Sequence, residues 1–284
     1  MDNESFLKRH SVLIYLVLAF GIAWGGILFV VRDTTFPATS NEIARVVPFV
    51  FLAMLAGPSI AGVLMAWRVD GKLGLRDLAA RLLRWRVDAR WYAALLITPL
   101  LLIGILTVLS TVSPAFLPKI VTANDKSAVL TVALAVGLMA GFFEELGWTG
   151  FAIPKLQLKH SALATALLFG PIWMLWHLLA DFWGGYESFG TLYFAHVLLW
   201  LVALVAYRVL IVWVYNNTSS LMLAMLMHAS FTGGQALLEP TFNSAADNIV
   251  WYSVFAAMLV LVAVVAVLTA GAKRLVRVPT PILA

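Results

Sequence analysis

Eight long apolar runs constrain the sequence more than any other feature. An α-helix needs about 20 predominantly apolar residues to cross a bilayer, and each run is close to that length. The runs comprise residues 11–31, 46–67, 91–110, 128–153, 161–183, 193–215, 220–238 and 250–270. The pattern predicts an all-α fold, that of a polytopic membrane protein with about eight transmembrane helices.

The composition agrees with a membrane protein. Hydrophobic residues make up 62% of the chain and charged residues 12%, with a mean hydropathy of +0.95. Ordinary soluble domains are about 45–50% apolar and about 25% charged. With no cysteine, the chain has no disulfide, thiolate nucleophile or cysteine-bound metal. We find no internal repeat and predict a single membrane domain over 1–284. The net charge of +5 does not indicate nucleic acid as a partner.

The basic residues are concentrated on one side of the predicted membrane. Segment 68–90 holds seven Lys and Arg residues, and fourteen lie on its side against four on the other. Because basic loops stay in the cytoplasm, both termini are predicted to be cytoplasmic. Within this segment "LRDLAARLLRWR" predicts a short amphipathic helix on the cytoplasmic face, in contact with anionic lipid.

Ionisable residues inside the predicted spans indicate a functional site. Each charged side chain near the bilayer centre costs about 2.5–3.5 kcal/mol, so it needs a partner or a purpose. Glu144 and Glu145 lie in the fourth run, with Arg208 in the sixth and His228 in the seventh at similar depth. His177, in the fifth, lies deeper if that helix begins at 161. Adjacent residues on a helix point about 100° apart, so the two glutamates cannot have the same role.

Several chemistries fit these residues. A carboxylate and two imidazoles (Glu144, His177 and His228) can bind a divalent metal such as zinc and leave a position open for water. Without a metal, the carboxylate can act as a general base with histidine assisting. Two non-enzymatic readings stay open: a small carrier using the Glu and His cluster as a proton relay, and polar residues that only join helices.

Three motifs resemble those of the CPBP family of intramembrane proteases, the relatives of the Ras-converting CAAX prenyl endopeptidase and of bacterial self-immunity proteins. They are "EELGWT" at 144–149, "WMLWH" at 173–177 and "HASFT" at 228–232. The resemblance implies a catalytic core over 128–238 that hydrolyses peptide bonds. It also implies Glu144 as the principal catalytic residue, His177 as the group that orients water, and His228 as an oxyanion or metal ligand. The implied catalytic set is Glu144, Glu145, His177, His228 and Thr232.

The chain departs from the family pattern at two positions. Thr149 stands where the family has arginine, and Thr232 stands where it has asparagine. We predict that Arg208 replaces the missing arginine as the counter-ion of Glu145. The departures keep open a protein that acts by binding alone, as a membrane chaperone or immunity factor.

The resemblance also sets expectations for location and partners. We expect an integral protein of a bacterial plasma membrane whose site opens toward the cytoplasm. Membrane lipid and a membrane-anchored protein or peptide substrate are the expected partners. The expected cofactor is a divalent metal or none, and the sequence indicates no particular oligomeric state.

Overall fold

The computed structural model describes residues 3–241 and 244–276. Within these residues a short helix, Asn3–Arg9, precedes eight long ones. The long helices are α1 (Ser11–Val30), α2 (Ser40–Leu82), α3 (Ile97–Ser110), α4 (Lys126–Gly147), α5 (Ala162–Phe189), α6 (Tyr193–Thr218), α7 (Leu221–Leu238) and α8 (Ala245–Ala270). A 3₁₀ segment, Ala89–Leu96, leads into α3.

The predicted all-α membrane fold is confirmed. Seven continuous helical stretches of the described chain are long and apolar enough to cross a membrane. The longest, Ala162–Thr218, consists of α5 and α6, which reverse direction at Gly190 (φ 52°). Gly170 of α5 approaches Val205 of α6, which shows that the two helices pack antiparallel. Eight membrane-crossing helices therefore account for the eight apolar runs.

The second helix is longer than its apolar run. It begins at Ser40, where Thr39 and Glu42 form a reciprocal capping box. It ends at Leu82 after a break at Gly71, where φ is 64° and ψ is −148°. The part after the break contains most of the predicted amphipathic segment. Arg81 in this part donates hydrogen bonds to the Gly150 carbonyl and to the Tyr215 hydroxyl, both at 2.9 Å.

Small residues bring the helices together. The buried residues of α1 recur every fourth position (Ser11, Tyr15, Ala19, Ala23 and Ile27) and face α2. Between α4 and α7 the contact is closer still, because Gly137 and Gly141 lie against Ala229 and Gly233. Small residues permit such backbone approach in membrane helices, where packing replaces the hydrophobic effect. The α4–α7 contact lies directly beside the paired glutamates.

The two ends of the bundle differ in charge. One end, which we call the basic end, carries segment 68–90 together with Lys155, whose Nζ lies 2.7 Å from Asp70 Oδ2. The opposite end, which we call the acidic end, carries Asp33, Asp125, Asp181, Glu187, Glu239 and Asp247. This separation agrees with the orientation predicted from sequence, which stays a prediction. Arg277, counted among the basic residues, lies outside the described residues.

Gly141→Ala is expected to destabilise the protein by about 1–3 kcal/mol, the usual cost of overpacking. A Cβ at position 141 would lie 2.2 Å from the Met225 carbonyl oxygen. The measurement is thermal unfolding of the purified protein in detergent.

Gly21→Ala is the matched control, because a Cβ there has nothing within 4 Å. Its stability should equal or exceed that of the wild type, since alanine favours helix over glycine. Equal melting temperatures for the two variants would contradict the close α4–α7 contact.

Candidate active site

A π-helical turn follows the paired glutamates. Helix α4 ends at Gly147, and residues Trp148–Ala152 form the turn. The backbone N–H of Trp148 lies within reach of the carbonyls of both Glu144 and Glu145. Such turns insert one residue into a helix and recur at functional sites. The turn is joined to the amphipathic part of α2 through Arg81 and the Gly150 carbonyl.

Glu145 is the centre of a buried hydrogen-bond network. Arg208 Nη1 donates to Glu145 Oε2 at 2.9 Å, and both side chains are fully buried. The Thr149 hydroxyl donates to the same oxygen. His228 Nδ1 lies 2.9 Å from the other oxygen, Oε1. The predicted ion pair between Arg208 and Glu145 is confirmed. An arginine from α6 thus neutralises the carboxylate that the uncharged Thr149 cannot neutralise.

An aromatic surface supports the guanidinium of Arg208. Its Cζ lies 4.2 Å from the centroid of the Trp173 ring and 5.4 Å from that of Phe169. Cation–π contacts of this kind strengthen when the groups are removed from water. The arginine is thus held by the carboxylate on one side and by α5 rings on the other.

Glu144 has different surroundings from Glu145. Two indole N–H groups donate to its Oε2, Trp173 at 2.9 Å and Trp148 at 3.3 Å. The second oxygen, Oε1, takes part in neither bond. His228 Nε2 lies 3.7 Å from Oε2, too far for a direct hydrogen bond. Glu144 therefore lacks the full counter-charge that Arg208 gives Glu145, and it borders a cavity.

The arrangement fixes the tautomer of His228. Glu145 is an ionised acceptor beside Arg208, so His228 Nδ1 must carry the proton of their shared hydrogen bond. The other nitrogen, Nε2, is then directed at Glu144 and can accept or transfer a proton. A carboxylate that accepts a hydrogen bond from an imidazole in this way fixes the orientation of the ring as well as its tautomer.

A cavity of about 350 Å³ begins at Glu144 and His228. His177 and Thr232 also line it, so four of the five predicted site residues border one space while Glu145 supports them from behind. Helix α5 passes through Pro171 without a break, and His177 lies one turn beyond Trp173. Its ring packs edge-on against Trp176, with centroids 4.7 Å apart.

The cavity extends toward the acidic end of the bundle. Beyond Thr232 its lining continues to Gln235 and Glu239 at the end of α7, and to Tyr252 near the start of α8. The expectation of a site that opens toward the basic, cytoplasmic end stays a prediction, although the lining of this cavity runs toward the other end. Toward the basic end lie the Arg81 contacts and Leu78, whose side chain lies against Gly150.

The predicted metal ligands do not form a metal site in this geometry. Among the described residues, no group of three or more His, Cys, Asp or Glu side chains is spaced to hold an ion. Glu144 Oε2 accepts two indole protons, which leaves only Oε1 of that carboxylate to bind an ion. His177 lines the cavity one helical turn beyond Trp173, the residue that donates to Glu144. The donor set therefore does not fit the zinc site considered from sequence.

Comparison with known proteins places this constellation in a family. Residues 126–233 match the family described as Type II CAAX prenyl endopeptidase Rce1-like. The match supports the resemblance of this segment to the CPBP family. The matched segment contains Glu144, Glu145, His177, His228 and Thr232, the whole set that the resemblance singled out.

A relative named CAAX prenyl protease 2, from Methanococcus maripaludis, is 33% identical over 108 residues. That alignment covers 37% of this chain and 40% of the relative. The chain thus spans less than half the length of this CPBP relative. The division of the chain at 128–238 and the single domain over 1–284 stay predictions.

Sequence reasoning missed two features of this site. It did not predict that Trp148 and Trp173 donate to Glu144, although Trp148 lies four residues beyond Glu144 and so shares its helix face. It did not connect Glu239 or Tyr252 with the site. The available signal was the spacing of polar residues along α7.

Arg208→Leu is expected to destabilise the protein by about 3–5 kcal/mol, because it leaves the buried Glu145 without its counter-ion. Arg208→Leu combined with Thr149→Arg should recover most of that loss. The new guanidinium would lie one turn from Glu145, on the oxygen that Thr149 and Arg208 now share. Thermal unfolding in detergent measures both effects.

Arg76→Leu, at an exposed position of the basic end, is the control and should change stability little. If Arg208→Leu melts at the same temperature as Arg76→Leu, the ion pair contributes nothing to the fold.

Proposed function

We propose that this protein is an intramembrane endopeptidase of the CAAX type in which Glu144 activates the attacking water. The observation that carries the proposal is the position of Glu144 at the edge of the cavity. Its carboxylate is buried, yet it lines a cavity and lies 3.7 Å from a histidine nitrogen. Resemblance to a protease family supports the same reaction class.

The chemistry follows from the hydrogen bonds of the two glutamates. Glu144 takes a proton from water, whose oxygen attacks the carbonyl carbon of a peptide bond. The bound Trp148 and Trp173 N–H groups hold the carboxylate at Oε2 and leave Oε1 for this transfer. When the C–N bond breaks, the proton passes from Glu144 to the leaving amine. Glu145 keeps His228 in the tautomer that assists the first transfer.

Two further cavity residues are proposed to act on the substrate carbonyl. His177 and Thr232 line the cavity beside Glu144 and can donate hydrogen bonds to the oxyanion. Threonine has a shorter reach than the asparagine of the family pattern. We therefore assign the larger share of oxyanion stabilisation to His177.

The substrate is proposed to be a protein or peptide held at the membrane. The site lies inside the bundle, and the helices around it expose broad apolar surfaces suited to lipid. A substrate anchored in the same bilayer would present its backbone at the cavity mouth without leaving the membrane. The enzyme is accordingly proposed to act as an integral protein of a plasma membrane.

Glu144→Gln should lower cleavage by roughly 10²–10⁴-fold, the usual contribution of a general base. The amide keeps the acceptor oxygen for the tryptophans but cannot take a proton. The measurement compares new peptide N-termini in membranes that contain the wild type or the variant.

Glu187→Gln is the control, since Glu187 is exposed at the acidic end and does not line the cavity. Identical N-termini with wild type and Glu144→Gln would refute proteolysis and favour a protein that acts by binding alone. Cleavage is expected to persist after metal chelation, because no three-ligand group is present in the described chain. Loss of cleavage on chelation, restored by added zinc, would overturn the metal-free mechanism.

A further inference from the structure

A polar face runs along α7 from the candidate site to the acidic end. It consists of His228, Thr232, Gln235 and Glu239, which are spaced four, three and four residues apart. Residues at these intervals lie above one another on a helix. All four line the same cavity, whose other walls include Phe51, Trp200 and Leu204. The face therefore offers hydrogen-bonding groups to a chain that occupies the cavity.

Gln235 and Glu239 each make a single side-chain hydrogen bond within the described part of the chain. Gln235 is 7% exposed, and its amide has only a marginal contact, 3.5 Å to the Phe231 carbonyl one turn below. Glu239 accepts one hydrogen bond, from the Tyr252 hydroxyl at 3.0 Å. Among the side chains that the structure describes, Glu239 belongs to no ion pair.

The surroundings of Glu239 favour the arrival of a cation. Burial raises the pKa of its carboxyl, and the Tyr252 hydrogen bond, His196 and Lys119 oppose that effect only in part. Lys119 itself is exposed to solvent. A positive group that entered the cavity would supply a counter-charge for the Glu239 carboxylate, which has no ion-pair partner among the described residues.

The separation along α7 between His228, which lies beside Glu144, and Glu239 sets a length for the bound chain. Glu239 is eleven residues from His228, which corresponds to about 16 Å along the helix. An extended peptide advances about 3.3 Å per residue, so about five residues span that distance. A long side chain can bridge part of it, which shortens the separation to about three residues.

We propose that Glu239 determines specificity by binding the cationic side chain of a substrate lysine or arginine, about three to five residues from the cleaved bond. Thr232 and Gln235 hydrogen-bond the peptide backbone between that residue and Glu144. The position of the cationic residue relative to the cleaved bond rests on the proposed function. Binding of a cationic peptide can nevertheless be measured without cleavage.

The test measures peptide binding to the full-length Glu144→Gln protein in lipid nanodiscs. The probes are apolar nonapeptides with a single lysine, glutamine or glutamate moved through the sequence. At the preferred position the lysine peptide should bind at least about tenfold more tightly than the glutamine peptide, as expected for a charge-assisted hydrogen bond. Adding Glu239→Gln should remove this preference, and adding Glu239→Lys should transfer it to the glutamate peptide.

Two control variants separate charge from structure. Tyr252→Phe removes the hydrogen bond to Glu239 but keeps the carboxylate, so the lysine preference should persist. Glu187→Gln removes an exposed carboxylate at the same end and should leave it unchanged. A preference for lysine that survives Glu239→Gln, or no preference at any position, overturns the proposal.

The outcome is independent of proteolysis. If the wild type cleaves no peptide but the Glu144→Gln protein still discriminates lysine through Glu239, the proposed function fails and the cationic subsite remains. If the wild type cleaves peptides without regard to lysine and Glu239→Lys does not change the pattern, the subsite fails and the proposed function remains.

Discussion

The ion pair between Arg208 and Glu145 is the interaction on which the rest of the site depends. Both groups are fully buried in a bundle whose outer surface is apolar, so neither can reach water for compensation. The pair joins α4 to α6, and the same carboxylate fixes His228 on α7. Three helices are thus held by one carboxylate, and the imidazole that faces Glu144 is oriented as a consequence.

The pair also explains how the chain tolerates its departure from the CPBP pattern. An arginine at position 149 would place the counter-ion on the same helix as Glu145. Here the threonine keeps a hydrogen bond to that carboxylate, and the charge comes from α6, where Trp173 and Phe169 cover the guanidinium. The counter-charge of Glu145 therefore comes from a different helix, and the pair joins α6 to the candidate site.

The position of the candidate site and the direction of its cavity are set by different parts of the bundle. The glycines of α4 bring its backbone against α7, which places the glutamates beside His228. Arg81, Leu78 and the π-helical turn lie toward the basic end, and the cavity extends the other way, along the polar face of α7. A substrate would consequently approach the proposed base from the acidic end, past Glu239.

The sequence alone determined the class of fold and the members of the site. Apolar runs of membrane length permit little besides transmembrane helices, and ionisable residues within them are too costly to be incidental. Depth estimates were enough to pair Arg208 with Glu145, because the depth of each residue follows from the rise of its helix.

Only the tertiary structure decided the direction in which the cavity extends, the tryptophan donors to Glu144 and the inclusion of Glu239. Each depends on the rotation of one helix against another and on side chains far apart in the chain. Spacing within a single helix cannot specify those relations. The metal-ligand set depends on the same relations: His177, Glu144 and His228 line one cavity but form no three-ligand group in the described part of the chain.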